Sequence, residues 1–385
     1  MQPHYDLLIV GGGVLGAFHA YHALQKGLRV AILEKDQLPQ GSSVQNFGQI
    51  VPSGMDAKWQ LYGRKSLEIY KSIQANVDIS LRQNGSVYIA SDEEEMTLLE
   101  ELATINKAND YPSQLLTAND CLQRYEGLRA DYCRGGLFFP EEITLEPRVA
   151  LHRILAFLTE QKGLHYFPQT LAIGIDSSAT GCRVVASDKR VFQADQVLVC
   201  NGYEFQTLFP EIYREGDLQA VKLQMILLEQ QPAQRIPGSI LTGLSIRRYE
   251  SFQECPSYQS IKAKEDPDSL SKKWSVHILF KQTADGAIIL GDSHEYADIF
   301  DKESLRIEIK TAINEYMMEE ATKIFNLQTW NIRETWVGMY TQCKNSDVFQ
   351  RKIDDRIHLL TGIGGKGMTG SAGFSYENIN HILGK

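Results

Sequence analysis

Residues Tyr5 to Lys35, YDLLIVGGGVLGAFHAYHALQKGLRVAILEK, leave few folds open. An apolar run, a Gly11-x-Gly13-x-x-Gly16 turn, a helix-length segment, a second apolar run and a terminal Glu34 follow one another in the order of a βαβ unit with parallel strands. Each part has a mechanical task. Gly11 permits the sharp turn, Gly13 lacks a Cβ and lets the backbone approach a pyrophosphate, and Gly16 lets the helix pack close to the strand. Val14 and Leu15 open the helix, where free N–H groups and the helix dipole favour an anion. Glu34 ends the second strand, where a carboxylate accepts hydrogen bonds from ribose hydroxyls and repels a 2′-phosphate. The unit therefore predicts a pocket for an adenine dinucleotide, FAD or NAD rather than NADP.

At 385 residues the chain exceeds the usual size of a single core, so two interwoven domains are expected. A net charge of -9, from 39 basic and 48 acidic residues, provides no electrostatic footprint for nucleic acid or an anionic membrane. Cys121, Cys133, Cys182, Cys200, Cys255 and Cys343 are scattered without a C-x-x-C pair, so neither a disulfide framework nor a metal site is expected. The first strand begins within about five residues of Met1, which leaves no space for a signal peptide, and no apolar run approaches the ~20 residues needed to span a bilayer. A cytoplasmic setting without stable membrane insertion is the expectation.

The polar, glycine-containing stretch 40–49 reads as an ordered loop. Helical periodicity returns over 58–75, a short strand follows at 85–90, and 92–107 reads as a helix whose acidic start suits its dipole. Pro147 stands at a plausible N1 position of a helix running to about Lys162, ahead of Gly163 and a strand at 164–167. Strand-like runs occur at 170–175, 182–186 and 194–202. They dominate again from 218 to 325, including 221–229, 274–281 and 287–290, with a helix near 304–324. The fold class expected is α/β plus β-rich: a Rossmann-like FAD/NAD(P)-binding domain interleaved with an antiparallel-sheet substrate domain. The first would take residues 1–80, 145–215 and 328–385, the second 81–144 and 216–327. Near the end, a strand at 356–362 enters a glycine cluster spanning Gly362 to Gly370, a second place where backbone could approach a ligand closely, and a last helix covers about 371–383.

Taken together, GGGVLG with Glu34, GSSVQNFGQIVPSG at 41–54, LEPRVALHRIL at 145–155, ADQVLVCNG at 194–202, and WVGMYTQCKNSDVF with LLTGIGGKGMT resemble the D-amino-acid-oxidase-like family of FAD oxidoreductases. That family includes glycine oxidase, sarcosine oxidase and D-amino acid dehydrogenase, and the likeness spans nearly the whole chain. QNFGQIVPSG combined with Gly291-Asp292-Ser293-His294 is similar to a subgroup associated with phosphonate breakdown, for which oxidation of an aminophosphonate has been proposed. The resemblance implies that Gly11, Gly13, Gly16 and Glu34 hold the ADP half of FAD. It places Lys35, Ser42 and Ser43 along ribose and pyrophosphate, and Asn46, Phe47, Gly48 and Gln49 near the flavin. Gly202 would close over the adenine side, while Gly364, Gly365, Lys366, Gly367, Met368 and Thr369 would approach the isoalloxazine. Lys366 has two readings, a cation stabilising the anionic reduced ring or a side chain pointing to solvent. Relatives that bind flavin covalently carry a cysteine two residues before the tyrosine of an M-Y-T triplet. Here Gly338 stands there, which implies non-covalent FAD.

The implied chemistry is oxidation of a C–N bond by hydride transfer to flavin, giving an imine that water hydrolyses, with oxygen or an electron carrier as the final acceptor. The alternatives are a D-amino acid dehydrogenase serving a carrier and a non-catalytic flavin-binding protein. A small amine substrate with an anionic tail calls for basic anchors. Arg247, Lys281 and His277 are the candidates, joined by Arg248 and His294, with Tyr258 and Trp274 as walls and Asn46, Gln49 and Lys366 on the flavin side. His277, Leu279 and Lys281 would share one face of a strand.

Overall fold

Tyr5, Leu7, Leu8 and Ile9 in the first strand and all four residues of the second, Val30–Leu33, are fully buried, the mark of parallel strands covered on both faces. The structure, a computed structural model, describes residues 3–384. His4–Val10 pairs in parallel with Val30–Leu33 on one side and Val191–Val199 on the other, and the sheet continues outward to His165–Phe167 and Ile357–Thr361. Phe349–Lys352 adds an antiparallel edge, and the hairpin Ala172–Ser178 with Gly181–Ala186 extends the near half of Val191–Val199. Alternate residues of the first strand face different cores. Leu7 and Ile9 pack towards Phe18, Trp59, Tyr70 and Phe374, whereas Leu8 and Val10 pack with Val184, Val197 and Val199.

Three helices crowd the first of these cores: Val14–Gln25, Ala57–Gln74 and Gly367–Ile382. The last starts four residues earlier than the glycine content suggests. A Cβ on Gly370 would lie 2.7 Å from the Trp59 ring and one on Gly373 only 2.0 Å from the Tyr62 carbonyl, so these glycines set helix-to-helix contact. The helix Pro147–Lys162 starts and stops as its residues require, with Pro147 in the first turn and Gly163 closing it at φ 79.

The second sheet is antiparallel apart from one parallel pair, Ser239–Leu241 with Ser86–Ala90. Its order is Ile332–Cys343, Leu218–Leu228, Ile288–Asp298, Leu279–Gln282, Ser239–Leu241, Ser86–Ala90, Gly135–Phe139 and Gln114–Thr117. Helix Thr311–Ile324 packs on one face and helix Glu93–Ala108 on the other. Ile332–Cys343 falls inside the 328–385 segment expected of the nucleotide-binding domain, yet its hydrogen bonds run along Leu218–Leu228, from Cys343↔Leu218 to Ile332↔Leu228. Its far end meets the glycine cluster, through the Gln342–Ile363 bridge and a hydrogen bond from the Cys343 N–H to the Gly362 carbonyl at 3.2 Å. The stretch 274–281, expected as one strand, is extended only from Leu279 onward, while 287–290 grows into an eleven-residue strand ending at Asp298. Two short helical turns, Tyr258–Lys262 and Leu270–Lys273, precede the first of these strands.

Candidate active site

A cavity of about 720 Å³ opens where the two sheets meet. Gly13, Val14, Leu15, Ser42 and Ser43 form one part of its wall, and Asn46 to Gln49 with Gly364 to Thr369 form another. Arg248, Tyr249, His277, Leu279, Asp292, His294 and Tyr340 close the part built on the antiparallel sheet. Two helices, Val14–Gln25 and Gly367–Ile382, present their first turns to this space; neither is capped by the side chain of its N-cap residue, and the Val14 N–H donates to Ser43 Oγ at 3.1 Å. Orphan N–H groups at such ends are satisfied by ligands, and anions above all.

Gly11 and Gly16 do not line the cavity; they shape the turn that does. A Cβ on Gly11 would lie 2.2 Å from the Cys200 carbonyl, and one on Gly16 would lie 2.0 Å from the Gly11 carbonyl. Glu34 is 5 % exposed, and its two oxygens accept from the N–H groups of Gly12 (2.8 Å) and Asp36 (3.0 Å), so it braces the glycine turn from behind. Lys35 is exposed, with Asp36 at 3.5 Å, and stands apart from the cavity wall. The remaining residues expected around the cofactor, including Gly202 and Gly338, all line the cavity.

The loop 42–49 is held by its own side chains. Asn46 donates to the Ser42 carbonyl (2.9 Å) and accepts from the Gly48 N–H (2.8 Å). Gly48 has φ 74, and a Cβ there would sit 2.3 Å from the Leu145 carbonyl and 2.8 Å from Lys281 Nζ, so the loop rests directly on both. Lys281 is therefore a support beneath the loop, not a wall of the cavity. Its ammonium donates to the Leu145 carbonyl at 2.6 Å, and burial pulls it down to about 8, with Glu146 opposing. Gln49 reaches Tyr249 Oη at 3.4 Å through its amide nitrogen, while its Oε1 is buried with no donor. The two helix starts and this orphaned acceptor fit a group carrying both phosphates and a hydrogen-bonding ring.

Lys366 adopts neither of its two expected arrangements as a free cation. Its ammonium lies 2.6 Å from Asp347 and 2.9 Å from Glu250 and sits over the Trp59 ring, so the positive potential of this loop comes from the helix start at Gly367. Gly338 is closely packed, since a Cβ there would meet Leu223 at 2.9 Å and the Gln45 carbonyl at 3.2 Å. A cysteine at this position would not fit without displacing Leu223.

Among the basic candidates, Arg247 lies away from the cavity. It pairs with Asp92 (2.7 Å), Glu95 (2.8 Å) and Glu94 (3.5 Å) and ties down the start of helix Glu93–Ala108. Tyr258 donates to the Arg247 carbonyl and Trp274 packs on Tyr316, so neither is a wall. The neighbour, Arg248, does line the cavity. Its guanidinium donates to the Ser275 carbonyl (2.5 Å) and Tyr296 Oη (3.3 Å) and is in no ion pair among the described residues.

His277 Nε2 and Asp292 Oδ1 are 2.5 Å apart, and His294 Nδ1 lies 3.8 Å from the same oxygen. Burial lowers His277, with Asp292 opposing, and pulls His294 down to about 3, so both rings are neutral at neutral pH. Burial alone would raise the Asp292 carboxyl, but His294, His277 and Arg248 outweigh it and hold the group ionised, below the usual carboxylate range. Sequence reasoning passed over Asp292 as part of a motif and did not single out Tyr340. The available signal was a carboxylate interrupting the apolar run Ala287 to Gly291, where a buried charge demands a reason.

The chain matches the family described as FAD dependent oxidoreductase (DAO) over residues 6–377. A glycine oxidase of Geobacillus kaustophilus is 26% identical over 215 residues, covering 52% of this chain and 55% of that protein, so the match spans about half the relative's length. Among solved structures, L-proline dehydrogenase from P. horikoshii aligns with a TM-score of 0.80 at 16% identity, over 100% of this chain and 95% of that one. L-α-glycerophosphate oxidase from Mycoplasma pneumoniae, with FAD bound, aligns at 0.76 and 17% identity, over 100% and 96% of the two chains.

Proposed function

Because this chain belongs to the DAO family of FAD-dependent oxidoreductases, we propose that it oxidises the C–N bond of a small amine bearing an anionic tail. When bound, FAD supplies the hydride acceptor. The observation that carries the reading is one continuous cavity joining two helix starts to a cluster holding both a guanidinium and a carboxylate. Val14 and Ser43 would hold the cofactor's phosphates, and Gln49 with the Gly364–Thr369 turn would hold its ring. Arg248 is the anchor for the anionic tail, since its charge is not already neutralised. Gln49, Tyr249 and the neutral imidazoles exclude bulk water around the reacting carbon. Net loss of two electrons and two protons from the amine gives an imine, and water converts this to a carbonyl compound and a free amine or ammonia.

Within that class we favour an aminophosphonate. A phosphonate has three oxygens to satisfy, and the Arg248 guanidinium and the Tyr249 hydroxyl offer donors in one place. The test is anaerobic titration of the FAD-loaded protein with D-amino acids, glycine, sarcosine and aminoethylphosphonates, following loss of the flavin absorbance. An aminophosphonate should bleach the flavin at the lowest concentration, and bleaching by an amino acid alone would refute the phosphonate preference. Arg248→Ala should raise the concentration for half-maximal bleaching at least about tenfold, while Arg247→Ala should alter stability and leave that concentration near the native value.

A further inference from the structure

We propose that Asp292 is the ammonium-receiving group of the cavity and selects amines over hydroxyl-bearing anions. The inference rests on the reading that the substrate is a small amine, and deepens it by naming the group that recognises the nitrogen. Asp292 is 8 % exposed, lines the cavity, and its Oδ1 has no aligned hydrogen-bond donor. No lysine or arginine among the described residues forms an ion pair with it. Its close neighbours are the two imidazoles, which favour its ionised form but, being lowered by burial, carry no full positive charge at neutral pH. His294 Nδ1 faces the Ser275 carbonyl at 3.3 Å, which requires the proton on that nitrogen and leaves Nε2 as an acceptor. His277 Nδ1 is 3.3 Å from Ser245 Oγ, and its Nε2 contact with Asp292 is close but out of line.

Arg248 lowers the Asp292 carboxyl from a distance but makes no ion-pair contact with it, and a buried carboxylate without such a contact is costly to a fold, a cost that a ligand ammonium would offset. Arg248 is the nearest guanidinium of the cavity wall, but both its terminal nitrogens are directed to Ser275 and Tyr296. Glu250 and Asp347, the other acids of the wall, already share Lys366. Of the other cations of the wall, Lys366 is paired and Lys344 is exposed, so the cluster around Asp292 presents a guanidinium and a carboxylate that do not pair with each other and together complement a zwitterion. A polyol phosphate would satisfy the guanidinium and leave the carboxylate buried and unpaired. That difference separates amine from alcohol substrates.

The experiment compares ligands on the FAD-loaded protein through perturbation of the flavin spectrum under anaerobic conditions. Propylphosphonate and propionate are the amine-free probes; 2-aminoethylphosphonate and glycine are their zwitterionic counterparts. In the native protein the zwitterions should bind at least about tenfold more tightly. Asp292→Asn should raise KM for the amine at least about tenfold with a smaller change in kcat, leave binding of the amine-free anions unchanged or tighter, and keep the FAD content. Asp292→Glu should recover part of the loss. Equal affinity for zwitterion and plain anion in the native protein overturns the proposal even if Asp292→Asn does not fold. So does a variant in which both ligand types weaken alike, or a divalent metal found in stoichiometric amount in the purified protein and lost with Asp292. Unchanged amine oxidation by Asp292→Asn would overturn this proposal alone; failure of every amine to bleach the native flavin would overturn it together with the reading beneath it.

Discussion

Glu142 lies wholly inside the protein, where its carboxyl accepts from the Ser53 N–H at 2.7 Å and from Tyr111 Oη at 2.8 Å, and Ser86 Oγ also donates to it. Burial pushes it up to about 7, those donors opposing. A carboxyl raised in the folded state binds its proton more tightly there than in the unfolded chain, so its contribution is present at low pH and declines as pH rises through about 7. Glu142→Gln imitates the protonated form. The native protein should therefore lose on the order of 3 kcal/mol relative to the variant between about pH 4.5 and 8, read from denaturant melts at several pH values. Parallel stability curves for the two proteins would contradict this. Nothing in the run Pro140 to Thr144 announced such a group, because burial of an acid in a turn is decided by what packs over it. The glycines were more legible: Gly11 and Gly16 do what their spacing implies, through close carbonyls that no side chain could clear.

The two helices that open onto the cavity are tied together by their own histidines. His19 shares hydrogen bonds with Ser375 and Asn378, both at 2.9 Å, and His22 with the Ala372 carbonyl at 2.9 Å, so Val14–Gln25 is locked to Gly367–Ile382. Burial pulls both imidazoles down to about 4. Each has a folded pKa below its unfolded value, so the unfolded chain takes up protons first and stability is lost as pH falls from about 6.5 to about 4. Thermal melts should show this loss, on the order of 3 kcal/mol for each histidine, with FAD released in the same range. Replacing His19 with Asn and His22 with Gln should flatten the pH dependence; an unchanged slope would assign the acid sensitivity elsewhere. The helix Gly367–Ile382 also explains a sequence misreading. Its glycines are poor helix formers in isolation, and they are helical here because Trp59 and Tyr62 occupy the space a Cβ would need. Long strands were underestimated for a similar reason: Ile332–Cys343 alternates weakly and gains its place from pairing with Leu218–Leu228.

At the scale of the molecule, the nucleotide-binding half was readable because its strands are continuous apolar runs and its turns need glycine. The other half was readable as an antiparallel sheet but not as a site. Two adjacent arginines at the end of the short helix Gly243–Ile246 have opposite fates, Arg247 bound into an acidic cluster and Arg248 turned to the cavity. No helix among the described residues is long and apolar enough to cross a membrane. The proposal as a whole stands on the nitrogen: FAD held beside a zwitterionic amine, with C–N as the bond broken. A single anaerobic turnover, with the bleached FAD, the carbonyl product and the released ammonia or amine all quantified, tests this most directly. The expected result is one equivalent of carbonyl and one of nitrogen product for each FAD reduced. Carbonyl formed from glycerol 3-phosphate or another hydroxyl substrate, with no amine able to bleach the flavin, would contradict it.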